Sequence, residues 1–141
     1  MLKTLLPVDG SDNASKTVVD FIPLLDWYKE RPALHLLNVQ YPLDGNVSLF
    51  INQADIKQYH QEEGLKSLQS VRDLLDQQGI AYQYHIVVGD PAEMIVRFAS
   101  EKQFDQIVMG PRGKGGIQSL LLGSVTSKVM QLAQTPVLLV K

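Results

Sequence analysis

Short apolar runs alternate along the 141 residues with longer stretches whose apolar positions recur every three or four residues. The first pattern marks buried strands and the second amphipathic helices. The run "LKTLLPV" predicts a first strand ending at Asp9-Gly10. Ser11, Asp12 and Asn13 then offer N-caps for a helix over "ASKTVVDFIPLLDWY", which Pro23 kinks or ends early. "ALHLLNVQ" predicts a second strand and "YPLDGN" a turn. Leu65, Leu68, Val71, Leu74 and Leu75 fall at helical spacing and predict one amphipathic helix from Gln53 to Gln78, with Gly79 as its C-cap. "IAYQYHIVV", β-branched and aromatic, predicts strand three. Asp90 as N-cap and Pro91 at the first helical position open a helix through "AEMIVRFASEKQ". "FDQIVMG" predicts strand four, "SVTSKVMQLAQ" a last helix and "PVLLVK" a last strand.

This alternation of strand and helix, with no repeat or linker, predicts one domain over residues 1–141. The expected fold is α/β: a doubly wound, open, five-stranded, mainly parallel sheet with helices on both faces, Rossmann-like in plan. In such folds ligands sit beyond the carboxyl ends of the strands, where strand order reverses. Those ends are Asp9-Gly10, Val39-Gln40, Gly89-Asp90 and Met109-Gly110.

Composition narrows the chemistry. A net charge of −2 and a pI near 5.9 give no electrostatic case for nucleic acid or an anionic membrane. The absence of cysteine removes disulfides, thiolate catalysis and thiolate metal sites. No run approaches the roughly 20 apolar residues of a membrane helix. The start "MLKTLLPVDGS" lacks the apolar stretch and cleavage site of a signal peptide, so a cytoplasmic location is expected.

Five of the ten glycines fall between Val108 and Met130. Glycine costs conformational entropy on folding, so this density asks for a reason. Gly110, Gly113, Gly123 and Ser124 form the pattern G-x2-G-x9-G-S. The first pair follows strand four and the last opens the final helix. The first turn of a helix presents unpaired N–H groups to a phosphate, and glycines let the main chain approach it. Ser124 and Thr126 can add hydroxyl donors, Arg112 a charged fork and Lys114 a point charge. The stretch is no Walker A loop, because Gly115 follows Lys114, and no G-x-G-x-x-G follows the first strand. The competing reading is a surface loop with Gly123 or Ser124 as a plain N-cap.

Taken together, "LLPVDGSDNAS", "LLNV", "VVGDPAEMIV" and "DQIVMGPRGKGG…LLGSVTSKVMQLAQTPVLLVK" resemble the universal stress protein family, in order and over essentially the whole chain. The resemblance implies an adenine nucleotide alpha hydrolase-like fold. The G-x2-G-x9-G-[S/T] pattern resembles the branch of that family that binds nucleotide. On that resemblance Asp9 contacts the ribose, Pro7, Val8 and Val39 surround the base, and Met109, Gly110, Gly113, Gly123, Ser124 and Val125 lie on the phosphate side. From the residues alone, Asp9 reads equally as a turn residue and Val39 as plain core. Pro111 stands where many relatives carry Ser or Thr, which removes one possible N–H donor. The implied ligand is ATP, ADP or AMP, with Mg2+ arriving on its phosphates. The implied assembly is a homodimer through the apolar C-terminal strand, whose edge would otherwise need cover.

Other polar residues point to no separate chemistry. His35, His60 and His85 lie on different elements at no metal-ligand spacing. Trp27 and Tyr28 read as packing or partner surface, and Glu62-Glu63 as a solvated helix face. Three functions follow for test. The first is a homodimeric, ATP-binding stress-response sensor or regulator with protein partners of unknown kind. The second is a slow ATPase or phosphotransferase, slow because no general base is evident for a γ-phosphate. The third is a nucleotide-free interaction module.

Overall fold

The computed structural model describes residues 1–113 and 121–141. Five strands form one sheet: β1 (Lys3–Pro7), β2 (Ala33–Gln40), β3 (Tyr82–Val88), β4 (Gln106–Met109) and β5 (Val137–Leu139). Their spatial order is β3-β2-β1-β4-β5, and every pairing is parallel. The chain first winds outward from β1 to β3, then returns to β4 on the other side of β1. Strand order therefore reverses between β1 and β4.

Alternation along β1 builds a core on each face. Leu6 packs with Val18 and Phe21 of helix α1 (Asp12–Phe21) and with Leu68, Val71 and Leu75 of α3 (Gln53–Gln77). Leu5 packs on the opposite face with Ala92, Ile95 and Ala99 of α4 (Pro91–Glu101) and Val129 of α5 (Ser124–Leu132). Leu5, Leu6, Leu36 and Leu37 are at most 1% exposed, and each such side chain contributes roughly 1.5–3 kcal/mol of burial.

The helix boundaries follow local chemistry. Ser11 caps α1 by accepting from the Ala14 amide at 3.1 Å, and Asp90 caps α4 by accepting from that of Glu93 at 3.2 Å. Pro23 lies in a 3-10 turn, Ile22–Trp27, which replaces the last part of the expected first helix. The expected third strand begins at Tyr82 instead of Ile80. The reason is that Gly79, at φ +67°, and Ile80 complete the end of α3, with the Ile80 amide donating to Leu75 O at 2.9 Å. The turn expected at "YPLDGN" holds one additional helical turn, α2 (Gly45–Ser48), capped by Asp44.

Candidate functional site

The exits of β1 and β4 meet at the point of reversal. Beyond β1, Asp9 Oδ1 accepts from the Ser11 amide at 3.0 Å and from Ser11 Oγ at 2.5 Å. Ser11 Oγ is itself the acceptor that caps α1. Asp9 thus shapes the entry to α1 while its other carboxylate oxygen, Oδ2, lies against Gly113. Across the cleft, Asn13 Nδ2 donates to Gly113 O at 3.1 Å and ties the first turn of α1 to the segment leaving β4.

The glycines are explained by what surrounds them. A Cβ on Gly113 would fall onto Asp9 Oδ2, and one on Gly110 onto Thr17 Oγ1 of α1. A Cβ on Gly123 would lie 3.3 Å from Arg112 Cα. Three segments, from β1, β4 and α5, therefore approach more closely than side chains allow. The Gly123 amide donates to Pro111 O at 2.6 Å, which fixes the start of α5 against the segment leaving β4.

That start differs from the other α-helix entries. α1, α2, α3 and α4 each begin with a side chain accepting from the first turn, whereas at α5 the N-cap residue is Gly123 and no side chain among the described residues caps the first turn. The amides of the first turn of any α-helix have no intrahelical acceptor. They carry the positive end of the helix dipole and suit an anion. Ser124 is exposed at this point and Val125 half-buried.

The remaining expected site residues divide into two groups. Met109, Val39 and Val125 belong to one apolar cluster on the α4–α5 face of the sheet. Pro7 is half-buried at the end of β1, and Arg112 is half-buried between Gly110 and Gly113. Val8 is 2% exposed, its amide donates to Leu37 O at 2.8 Å, and its carbonyl accepts from Asn38 Nδ2 at 2.9 Å. Its main-chain polar groups are thus already engaged within the protein. Thr126 makes a contact within the protein. It is 2% exposed and its hydroxyl donates to Gly110 O at 3.0 Å, so it joins α5 to the exit of β4. Lys114 lies outside the described residues.

Three supporting residues were not assigned to the site from the sequence. Asn38, 2% exposed, holds the β1 exit through Val8 and accepts from Gln40 Nε2 at 2.7 Å. Thr17 fills the space beside Gly110, and Asn13 bridges to Gly113. A polar residue inside the apolar run "ALHLLNVQ" was the available signal for Asn38.

The fold is that of a doubly wound α/β protein whose strand order reverses between β1 and β4, the place where such folds take their ligands. The chain belongs to the universal stress protein family, whose model matches residues 1–141. Universal stress protein MJ0531 of Methanocaldococcus jannaschii is 34% identical, over 99% of this chain and 81% of its own length. The solved structure of MJ0577 from the same organism superimposes with a TM-score of 0.79 at 30% identity, covering 99% of this chain and 95% of that one. A universal stress protein solved in complex with cAMP aligns with a TM-score of 0.69 at 25% identity, over 99% of this chain and 97% of the other.

Proposed function

We propose that this chain is an adenine-nucleotide-binding stress-response protein that works as a sensor or regulator. The observation that carries the reading is the start of α5, with glycine at its N-cap and no cap among the described residues, beside the Asp9–Gly113 contact at the reversal of strand order. The α5 amides and Ser124 would receive the phosphates. Asp9 would accept from the ribose hydroxyls. Val39, Met109 and Val125 would supply the apolar wall for the base. The cAMP complex of a family relative supports adenine as the base. Mg2+, where present, would be held mainly by the nucleotide's own phosphates.

The reading includes a homodimer. β5 has three residues, pairs with β4 and, among the described residues, forms one edge of the sheet. A second copy pairing along it would satisfy that edge. In the test, the protein is purified without added nucleotide and denatured, and released nucleotides are identified by mass spectrometry. ATP is titrated calorimetrically in parallel. Saturable binding of one adenine nucleotide per chain supports the assignment, and no adenine nucleotide by either route overturns it.

A further inference from the structure

Among the described residues the sheet ends in two edges, β5 on one side and β3 on the other. β5 has three residues, whereas β3 has seven, all in unbroken register with β2. One bond fixes the direction of the β3 main chain. Just past the strand, the Gly89 amide donates to Gln40 O at 2.9 Å, so residue 89 turns toward β2. Main-chain direction alternates along a strand, so Gln83, His85 and Val87 also face β2. Tyr82, Tyr84, Ile86 and Val88 therefore turn their N–H and C=O groups outward. Among the described residues, these groups have no main-chain partner.

Proteins normally blunt such an edge with charge, proline, a bulge or a covering element. The strand YQYHIVV holds no Lys, Arg, Asp, Glu or Pro, and its register has no bulge. Tyr84 and Val88 are each 42% exposed. Arg72 of α3 lies 4.7 Å from the centre of the Tyr84 ring and lines a surface groove with Asp76 and Tyr82, so the charges at that groove are of opposite sign.

The edge is complementary to itself. With two copies antiparallel about a two-fold axis at His85, Tyr82 stands opposite the partner's Val88 and Tyr84 opposite the partner's Ile86. These are hydrogen-bonded pairs that each exchange two bonds, so every outward group is satisfied. Any other antiparallel register of the same strand leaves some of them unpaired. Both pairs join an aromatic to a β-branched side chain, a favourable cross-strand combination. We propose that β3 is a self-association edge, to which a second copy of this chain adds its own β3 antiparallel about His85, joining two sheets into one. An unrelated extended segment would use the same main-chain groups, but the matching of Tyr82 with Val88 and Tyr84 with Ile86 belongs to this strand. The proposal concerns the edge opposite β5 and does not rest on nucleotide binding.

The chain has no cysteine, so one introduced thiol reports the contact. In His85→Cys the two Cα atoms would lie about 4.5 Å apart, within disulfide range. In Gln83→Cys they would be about 13 Å apart along the strands, out of range. Mild oxidation should join His85→Cys chains in pairs and leave Gln83→Cys chains single. No cross-link in the first variant, or equal cross-linking in both, overturns the proposal. Sedimentation velocity gives a second reading, free of any thiol. Tyr84→Lys puts a charge on the exposed edge and should halve the assembled mass. Tetramers falling to dimers would mean that β5 also pairs, and dimers falling to monomers that β3 pairs alone; either supports the proposal. A mass equal to the parent's overturns it and leaves the edge to a segment of another protein.

Discussion

The contact between Gly113 and Asp9 sets up a prediction in which binding and stability separate. In Gly113→Ala the new methyl falls onto Asp9 Oδ2. The backbone itself tolerates alanine, since Gly113 is not among the glycines with positive φ. Asp9 is exposed, so its carboxylate can rotate away. Rotation forfeits its two hydrogen bonds to Ser11, which together contribute only about 1 kcal/mol because both are exposed and water replaces them. Replacing glycine by alanine at a compatible φ returns about 0.4–1 kcal/mol through the unfolded state. The two contributions nearly cancel, so stability should stay within about 1 kcal/mol of the parent. Binding has no such compensation. A hydrogen bond to a charged acceptor contributes about 1.5–3 kcal/mol, and its loss raises the Kd for ATP about 10- to 150-fold. The assay is a double-mutant cycle by calorimetry over the parent, Gly113→Ala, Asp9→Ala and the double variant. If Gly113 acts through Asp9, the alanine should cost almost nothing once Asp9 is gone. A Gly113→Ala protein that binds ATP like the parent would refute the reasoning. So would a further tenfold or greater loss in the Asp9→Ala background, which would mean that Gly113 meets the nucleotide itself.

Two further predictions concern stability. Thr126→Val removes the donor to Gly110 O at a 2% exposed position, which should cost about 1 kcal/mol and lower Tm by roughly 3–5 °C. Thr126→Ser should retain most of that stability, and an unchanged Tm in the valine variant would count against the role given to the hydroxyl. His35 Nδ1 and His85 Nε2 lie 2.9 Å apart, with the two rings stacked. Burial, then the His85 charge and Lys3, hold His35 below its ordinary value of 6.5, and burial, then Lys102 and Lys3, do the same to His85. The unfolded chain therefore takes up protons first, so the stability from the neutral pair is complete above pH 6.5 and falls as the pH drops below it. Denaturation midpoints from pH 7.5 to 5 should decline less steeply in a His35→Gln/His85→Gln double variant, and parallel profiles would dismiss the assignment.

The features legible in the sequence are those set by neighbours in the chain. Ser11, Asp90 and Pro91 announce helix starts because a cap is a contact across three residues. β2 spans the whole apolar run "ALHLLNVQ" for a similar reason, since a continuous apolar run needs no partner to be seen. α2 is a single turn closed by Asp44, and a sequence of Asp, Gly and Asn describes a plain turn equally well. The His35–His85 bond was out of reach on other grounds. It depends on the register that puts Leu37 opposite His85, across a separation of 50 residues. Asn38 holding Val8 and Thr17 filling the space beside Gly110 are long-range in the same sense.

The glycines show how far a spacing pattern can be taken. Their positions in the sequence pointed to main chain brought close to phosphate. In the folded protein the Cβ directions of Gly110, Gly113 and Gly123 point at Thr17, Asp9 and Arg112. Close approach is required, but the partner in each case is the protein. The requirement is thus met within the protein: the glycines let three segments converge, with Gly123 at the start of α5 against Arg112 and Gly113 against Asp9. Larger residues at these positions would act first on the shape of the cleft and only through it on a nucleotide. A glycine that met the phosphate directly would keep its effect after its protein neighbour was removed, whereas one that positions a neighbour would lose it.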